Sequence, residues 1–147
     1  MLSSEVPPPP QLGNAITNES MTTNLSNTSY MFNKLDHLII AVDDLDAATG
    51  DYTKVLGFPP IWTGVHPKLG TENALFPVQN TYLELLGARG RGTGADMVQE
   101  SLNDDGEGLC GMALRTDNLD ALKTDLAGKD IRMGEIATGK GVSRNGP

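Results

Sequence analysis

The 147-residue chain has two histidines, His37 and His66, and each stands where a reactive side chain could be used. His37 lies in Leu35–Val42 (LDHLIIAV), an apolar, β-branched run of strand length. Strand side chains alternate between faces, so Leu35, His37, Ile39 and Ala41 share one face and Leu38, Ile40 and Val42 the other. A covering helix takes the more uniformly apolar set, which turns His37 to the opposite side. A later run, Thr81–Gly87, carries Glu84 as its only charge, on a face shared with Tyr82 and Leu86. An acid in such a strand needs a partner, because an unpaired buried carboxylate is costly. A histidine and a glutamate are good ligands for a divalent metal, and an open carboxylate–imidazole site suits Fe, Mn, Ni or Zn. A core hydrogen bond for His37 and a solvated edge for Glu84 form the plainer alternative.

His66 sits in a loop beside Pro67, close to Thr71 and Asn73. A neutral imidazole there could be a third ligand, a general base or a donor to a substrate oxygen, or simply an exposed loop residue. Asn73 could hydrogen-bond a substrate carbonyl or merely start a strand. Trp62 and Tyr82 could wall a binding site or fill the core. Arg89 and Arg91, flanked by glycines, could attract an anionic substrate or belong to a solvated linker. Cys110 reads as a small buried residue, with no base placed to activate it. Phosphate-cradling glycine loops, Cys-x-x-Cys pairs and nucleophile elbows are lacking in the sequence.

The elements that must position these residues follow from periodicity. Asp43 and Asp44 can cap a helix whose apolar positions are Leu45, Ala48, Tyr52, Val55 and Leu56, with Gly57 as its left-handed stop. Phe58–Gly64 reads as a strand entered through Pro59-Pro60, and Val65–Gly70 as a loop. Thr71–Val78 and Thr81–Gly87 flank Gln79-Asn80, a hairpin pattern. Residues 33–88 therefore form a βαβββ module. Gly-rich residues 89–107 read as a linker, with one helical turn over Met97–Leu102.

The pattern then starts again in residues 108–147. Leu109–Thr116 reads as a strand, Asp117 as a cap, and Leu119, Leu122 and Leu126 as a helical stripe ended by Gly128. Asp130–Ala137 reads as a further strand. A shift of 74 positions pairs Leu35 with Leu109, Asp43 with Asp117 and Leu45 with Leu119, which marks an internal repeat. By the first copy's pattern the second is incomplete, lacking two strands. The expected class is α+β: a βαβββ module forming a mixed-sheet half-cup, then a truncated βαβ(ββ) module.

Residues 1–32 are set apart by composition. They hold no Lys or Arg, a Pro7–Pro10 run and a stretch of Asn, Ser and Thr, and are expected to be a disordered tail. Asn18, Asn24 and Asn27 match the glycosylation acceptor pattern, but nothing in the segment resembles a secretory signal. The net charge of −8 argues against nucleic acid and against an anionic membrane surface as partners. A single cysteine and the lack of any apolar run of about 20 residues suit a reduced, cytoplasmic protein.

A repeated unit opening on LDHLIIAVDDLDAA resembles the vicinal oxygen chelate superfamily, which includes glyoxalase I, extradiol dioxygenases and fosfomycin- and bleomycin-resistance proteins. The block His66-Pro67-Lys68-Leu69-Gly70-Thr71-Glu72-Asn73-Ala74-Leu75, followed by Tyr82-Leu83-Glu84-Leu85, resembles more narrowly its glyoxalase-like domain branch. The resemblance covers residues 33–147. It implies that each module's sheet forms half of a cup, with first and last strands side by side and each aiming one metal ligand inward. His37 and Glu84 match those two ligands. The matching first-strand position of the second copy is Gly111, which has no side chain to bind with, and its last-strand ligand would lie beyond Pro147.

The resemblance thus implies a metal-dependent enzyme acting on a small vicinal-oxygen substrate, of lyase, dioxygenase or isomerase type. His37 and Glu84 would hold the metal, His66 would move the proton, and Asn73, Trp62 and Tyr82 would contact substrate. Gly111 favours the alternative of a metal-free binding protein of the bleomycin-resistance type, and an inactive fragment is a third reading. Exposed sheet edges invite pairing with a second copy.

Overall fold

The computed structural model describes residues 31–136 and 141–144. The tail expected up to residue 32, with its acceptor-pattern asparagines, lies outside them except for Met31 and Phe32. Strand β1 (Lys34–Val42) leads into helix α1 (Leu45–Leu56), then β2 (Trp62–His66), β3 (Thr71–Val78) and β4 (Thr81–Ala88). Helix α2 (Thr93–Asp104), β5 (Gly108–Arg115), α3 (Leu119–Ala127) and the short β6 (Val142–Ser143) follow. The strands form one mixed sheet in the order β5-β1-β4-β3-β2-β6, with β1 parallel to β4 and the other pairs antiparallel. This is the expected α+β half-cup.

Local chemistry explains the first module. Asp44 accepts from the amides of Asp46 and Ala47 at 3.0 Å and so caps α1, and Gly57 closes it at φ 82. Leu45, Ala48, Tyr52 and Leu56 then pack on Val42, Ala74, Phe76 and Leu85 from the sheet. Val55, expected on that stripe, is 81% exposed, because it falls off the 45-48-52-56 line. The Gln79-Asn80 turn joins β3 and β4, with Val78 opposite Thr81.

Four expectations are corrected. Residues 89–107 are more than a linker with one helical turn, since α2 runs for 12 residues. Its Val98 and Leu102 pack on Ala41 and Leu86, on the face of the sheet away from α1. The strand expected over Asp130–Ala137 is not formed in its described part, 130–136, which has no neighbouring strand to pair with among the described residues. Asn118, rather than Asp117, caps α3, accepting from the Ala121 amide at 2.9 Å. Strand β2 also starts later than expected, at Trp62, and runs on to His66. No described helix is long and apolar enough to cross a membrane.

Candidate functional site

Strand register collects the expected side chains on one face. Trp62 of β2 is opposite Leu75 of β3, which is opposite Glu84 of β4, which is beside Ile39 of β1, which is opposite Gly111 of β5. Cross-strand partners point to the same side, so this row, and the rows of His37 with Tyr82 and of Asn73 with Gly64, share the face opposite α1. His66 and its partner Thr71 lie on that face too. Helix α2 covers the part of the face near Ala41 and Leu86.

The centre of the face is a chain of polar contacts. Nδ1 of His37 lies 3.1 Å from Oδ2 of Asp36. Its Nε2 lies 3.1 Å from Oε2 of Glu84. Asn73 donates from Nδ2 to Oε1 of Glu84 at 2.6 Å. Both Glu84 and Asn73 are buried, and Asn73 Oδ1 has no partner among the described residues. Arg115 stands 3.2 Å from the second oxygen of Asp36. The hydrogen bond from His37, helped by Arg115, holds the Asp36 carboxyl below the usual carboxylate range against the opposing pull of burial.

This geometry decides what the site can hold. A carboxylate only accepts, so the Asp36 contact requires the proton on Nδ1 of His37. Nε2 is then a lone pair aimed at a carboxylate oxygen. Two such donors repel unless a cation lies between them, either a second proton on the ring or a metal ion. Donors bound about 2.0–2.2 Å from one ion stand about 3.0–3.4 Å apart, which the 3.1 Å separation matches. A carboxylate behind the second ring nitrogen is also the usual outer support of a metal-binding histidine. His37 and Glu84 therefore fit a divalent ion as two of its ligands. No group of three His, Cys, Asp or Glu side chains placed to hold an ion occurs among the described residues.

Gly111 explains part of that shortage. It sits on the site face opposite Ile39, where a Cβ would meet only the Ile39 side chain, at 3.5 Å. The position expected to supply a ligand is thus present in space and empty of donor atoms.

The remaining candidates divide. Tyr82 lies beside the pair, its ring centroid 6.0 Å from that of His37. Trp62, 38% exposed, lays its indole over Gly64, where a Cβ would come within 2.5 Å of Nε1. His66 is not brought to the pair. Its partner Thr71 is opposite Ala88, four residues along β4 from Glu84, or about 13 Å. Instead His66 Nδ1 contacts Thr71 Oγ1 at 3.0 Å, in a separate cavity with Arg89 and Arg91. Cys110 packs with the Ala41 cluster, and burial pushes its thiol up.

Sequence reasoning missed Asp36. Neighbouring strand residues are expected on opposite faces, but the β1–β5 register shifts between Leu35 and His37 and leaves Asp36 unpaired with β5. Such a bulge re-aims a side chain. Adjacent Asp and His near a strand's start is the one sequence signal that could have suggested it.

Comparisons with known proteins agree with this fold. The family model of the glyoxalase-like domain matches residues 35–144. The chain is similar to a variant of Streptomyces coelicolor methylmalonyl-CoA epimerase in complex with 2-nitronate-propionyl-CoA, at 29% identity over 69% of this chain and 72% of that one, with a TM-score of 0.59. It is similar to methylmalonyl-CoA epimerase from Mycobacterium tuberculosis at 26% identity, covering 74% and 71% of the two chains, with a TM-score of 0.61. A methylmalonyl-CoA epimerase in complex with methylmalonyl-CoA and NH4+ matches at 29% identity over 69% and 72%, with a TM-score of 0.59. No curated protein matches the sequence significantly.

Proposed function

The chain belongs to the glyoxalase-like domain family, and on that premise we propose that it binds a small oxygen-rich substrate on the sheet face of His37 and Glu84, as part of an isomerase-type enzyme. The observation that carries the proposal is the 3.1 Å approach of His37 Nε2 to Glu84 Oε2, with Asp36 behind the ring. Among lyase, dioxygenase and isomerase chemistries, similarity to methylmalonyl-CoA epimerases favours the last. Such a reaction moves a proton at a carbon next to a carbonyl.

His37 and Glu84 are the residues that would hold a divalent ion, Fe, Mn, Ni or Zn. When bound, that ion supplies Lewis acidity toward two neighbouring substrate oxygens. Asp36 keeps the His37 proton on Nδ1, and Asn73 orients Glu84 beside the substrate site. Trp62 and Tyr82 give apolar walls, and Trp62 limits water over the Asn73 row. His66 takes no proton at this centre in the reading proposed. Residues 108–147 are read as a second strand-helix unit related to the first module. A second copy of the chain would pair along β5, where Leu109, Met112 and Leu114 are exposed.

Gly111 favours a second reading, a metal-free binding protein in which a proton on Nε2 replaces the ion. The two readings differ in turnover. Protein loaded in turn with each of the four ions is mixed in D2O with a panel of small acyl thioesters and 2-oxo acids, and loss of the α-proton signal is followed by NMR. The enzyme reading expects ion-dependent exchange with one or more panel members, abolished in Glu84→Ala. Saturable binding without exchange for any panel member overturns it in favour of the binding protein.

A further inference from the structure

The cavity beside His66 lies apart from the His37–Glu84 pair, and its walls carry one sign of charge. Its volume is about 240 Å³, and none of its lining residues is acidic, in a chain whose net charge is −8. Pockets that enclose a drug-sized ligand run about 300–1,000 Å³, so this one takes a single small group. His66, Arg89 and Arg91 supply its polar character, and Thr71 holds the imidazole from Oγ1 at 3.0 Å.

Two loops are built to make it. The amides of Leu69 and Gly70 donate to His66 O at 3.0 and 2.9 Å, and those of Arg89 and Gly90 donate to Gly70 O at 2.8 and 3.0 Å. The loops cross so closely that a Cβ at Gly70 (φ 70) would lie 2.6 Å from Arg91 O, and one at Gly92 equally near Leu69. Glycine is the residue such a crossing tolerates. The crossing brings Arg89 and Arg91 into the lining of the cavity with His66.

The two arginines differ in a telling way. Arg89 is anchored by an ion pair with Glu72 at 2.8 Å, an acid it shares with Arg144. Arg91 is exposed and has no carboxylate partner among the described residues. A guanidinium fork meets the oxygens of a carboxylate or phosphate with two parallel N–H donors.

We propose that this cavity is an oxyanion-binding site, in which Arg91, with Arg89 and His66, takes a phosphate or carboxylate group. The site stands independently of the metal reading, since it uses neither His37 nor Glu84. The test is calorimetric titration of the full chain, in metal-free buffer at fixed ionic strength, with inorganic phosphate, acetate and chloride. Wild-type protein is expected to give saturable binding of phosphate or acetate beyond that of chloride, the tighter of the two naming the group. Arg91→Gln is expected to weaken it about tenfold or more with an unchanged melting temperature, and His37→Ala to bind like wild type. Binding no better than chloride, or equal affinity in wild type and Arg91→Gln, overturns the proposal. Loss of binding in His37→Ala while Arg91→Gln binds normally overturns it too, by moving the anion to the other site.

Discussion

The His37 imidazole lies between two carboxylates, with Nε2 3.1 Å from Glu84 Oε2 and Nδ1 3.1 Å from Asp36 Oδ2. Glu84 is reached across the parallel β1–β4 pair, whereas Asp36 is the preceding residue, turned by an irregularity in β1. One carboxylate fixes the ring's proton and the other shares whatever cation the second nitrogen meets. That division of labour generates the first prediction.

Asp36→Asn exchanges the charged acceptor behind Nδ1 for a neutral amide, and an outer-shell change of this kind weakens metal binding about 10–100-fold. It also changes the pH dependence of stability. The Asp36 carboxyl titrates below its ordinary value of 3.8 in the fold, so it contributes stability above that value and loses it as pH falls through the lowered one. Urea unfolding is expected to show Asp36→Asn less stable than wild type at pH 7, with the gap narrowing as pH falls below 3.8. A gap that stays constant over this range contradicts the assignment.

Asn73→Ala leaves Glu84 Oε1 without its 2.6 Å donor in a buried position. A stranded buried acceptor costs about 1–3 kcal/mol, read from the urea midpoint. Asn73→Asp is expected to be worse at neutral pH and to recover in acid, because it sets a second carboxylate against the first.

Much of the first module was legible in the sequence. The alternation in β1, the Asp44 cap, the Gly57 stop and the turn at Gln79-Asn80 are local features; they placed His37 away from α1 and Tyr82 with Glu84 on one side of their strand, and only the family resemblance joined the two. What was not legible depends on tertiary partners. Helix α2 has only a thin apolar stripe (Ala95, Val98, Leu102) behind a glycine-rich start, and it owes its helix to packing on Ala41 and Leu86. The strand expected from Asp130 needs a neighbour that the described sheet does not offer it. His66 was expected in a loop but closes strand β2, and the distance between strand rows that separates it from Glu84 is fixed by register, which composition does not carry.

Gly111→His places an imidazole on the site face in the row of Glu84 and Ile39. Its Cβ meets the Ile39 side chain at an ordinary 3.5 Å, so the substitution is expected to cost little stability. With a third donor beside the pair, zinc or nickel affinity is expected to rise about tenfold or more, equivalent to about 1.4 kcal/mol. Competition titration against a chromogenic chelator reads the change.

Gly70→Ala forces a side chain where φ is 70° and a Cβ would stand 2.6 Å from Arg91 O. The strained conformation costs on the order of 1–3 kcal/mol, and the clash adds to it. A fall in melting temperature is expected, with the His37–Glu84 pair unaltered. A neutral effect would mean that the two loops do not cross as closely as described.

The proposed role of His37 and Glu84 as ligands of one ion is tested directly by metal content. Wild-type protein, His37→Ala and Glu84→Ala are each dialysed to equilibrium against Zn and, separately, Ni, Mn and Fe, and bound metal is measured by mass spectrometry with circular dichroism to confirm folding. Wild type is expected to retain about one ion per chain and both variants to lose it. No ion in the wild type, or equal ion content in all three folded proteins, would contradict that role.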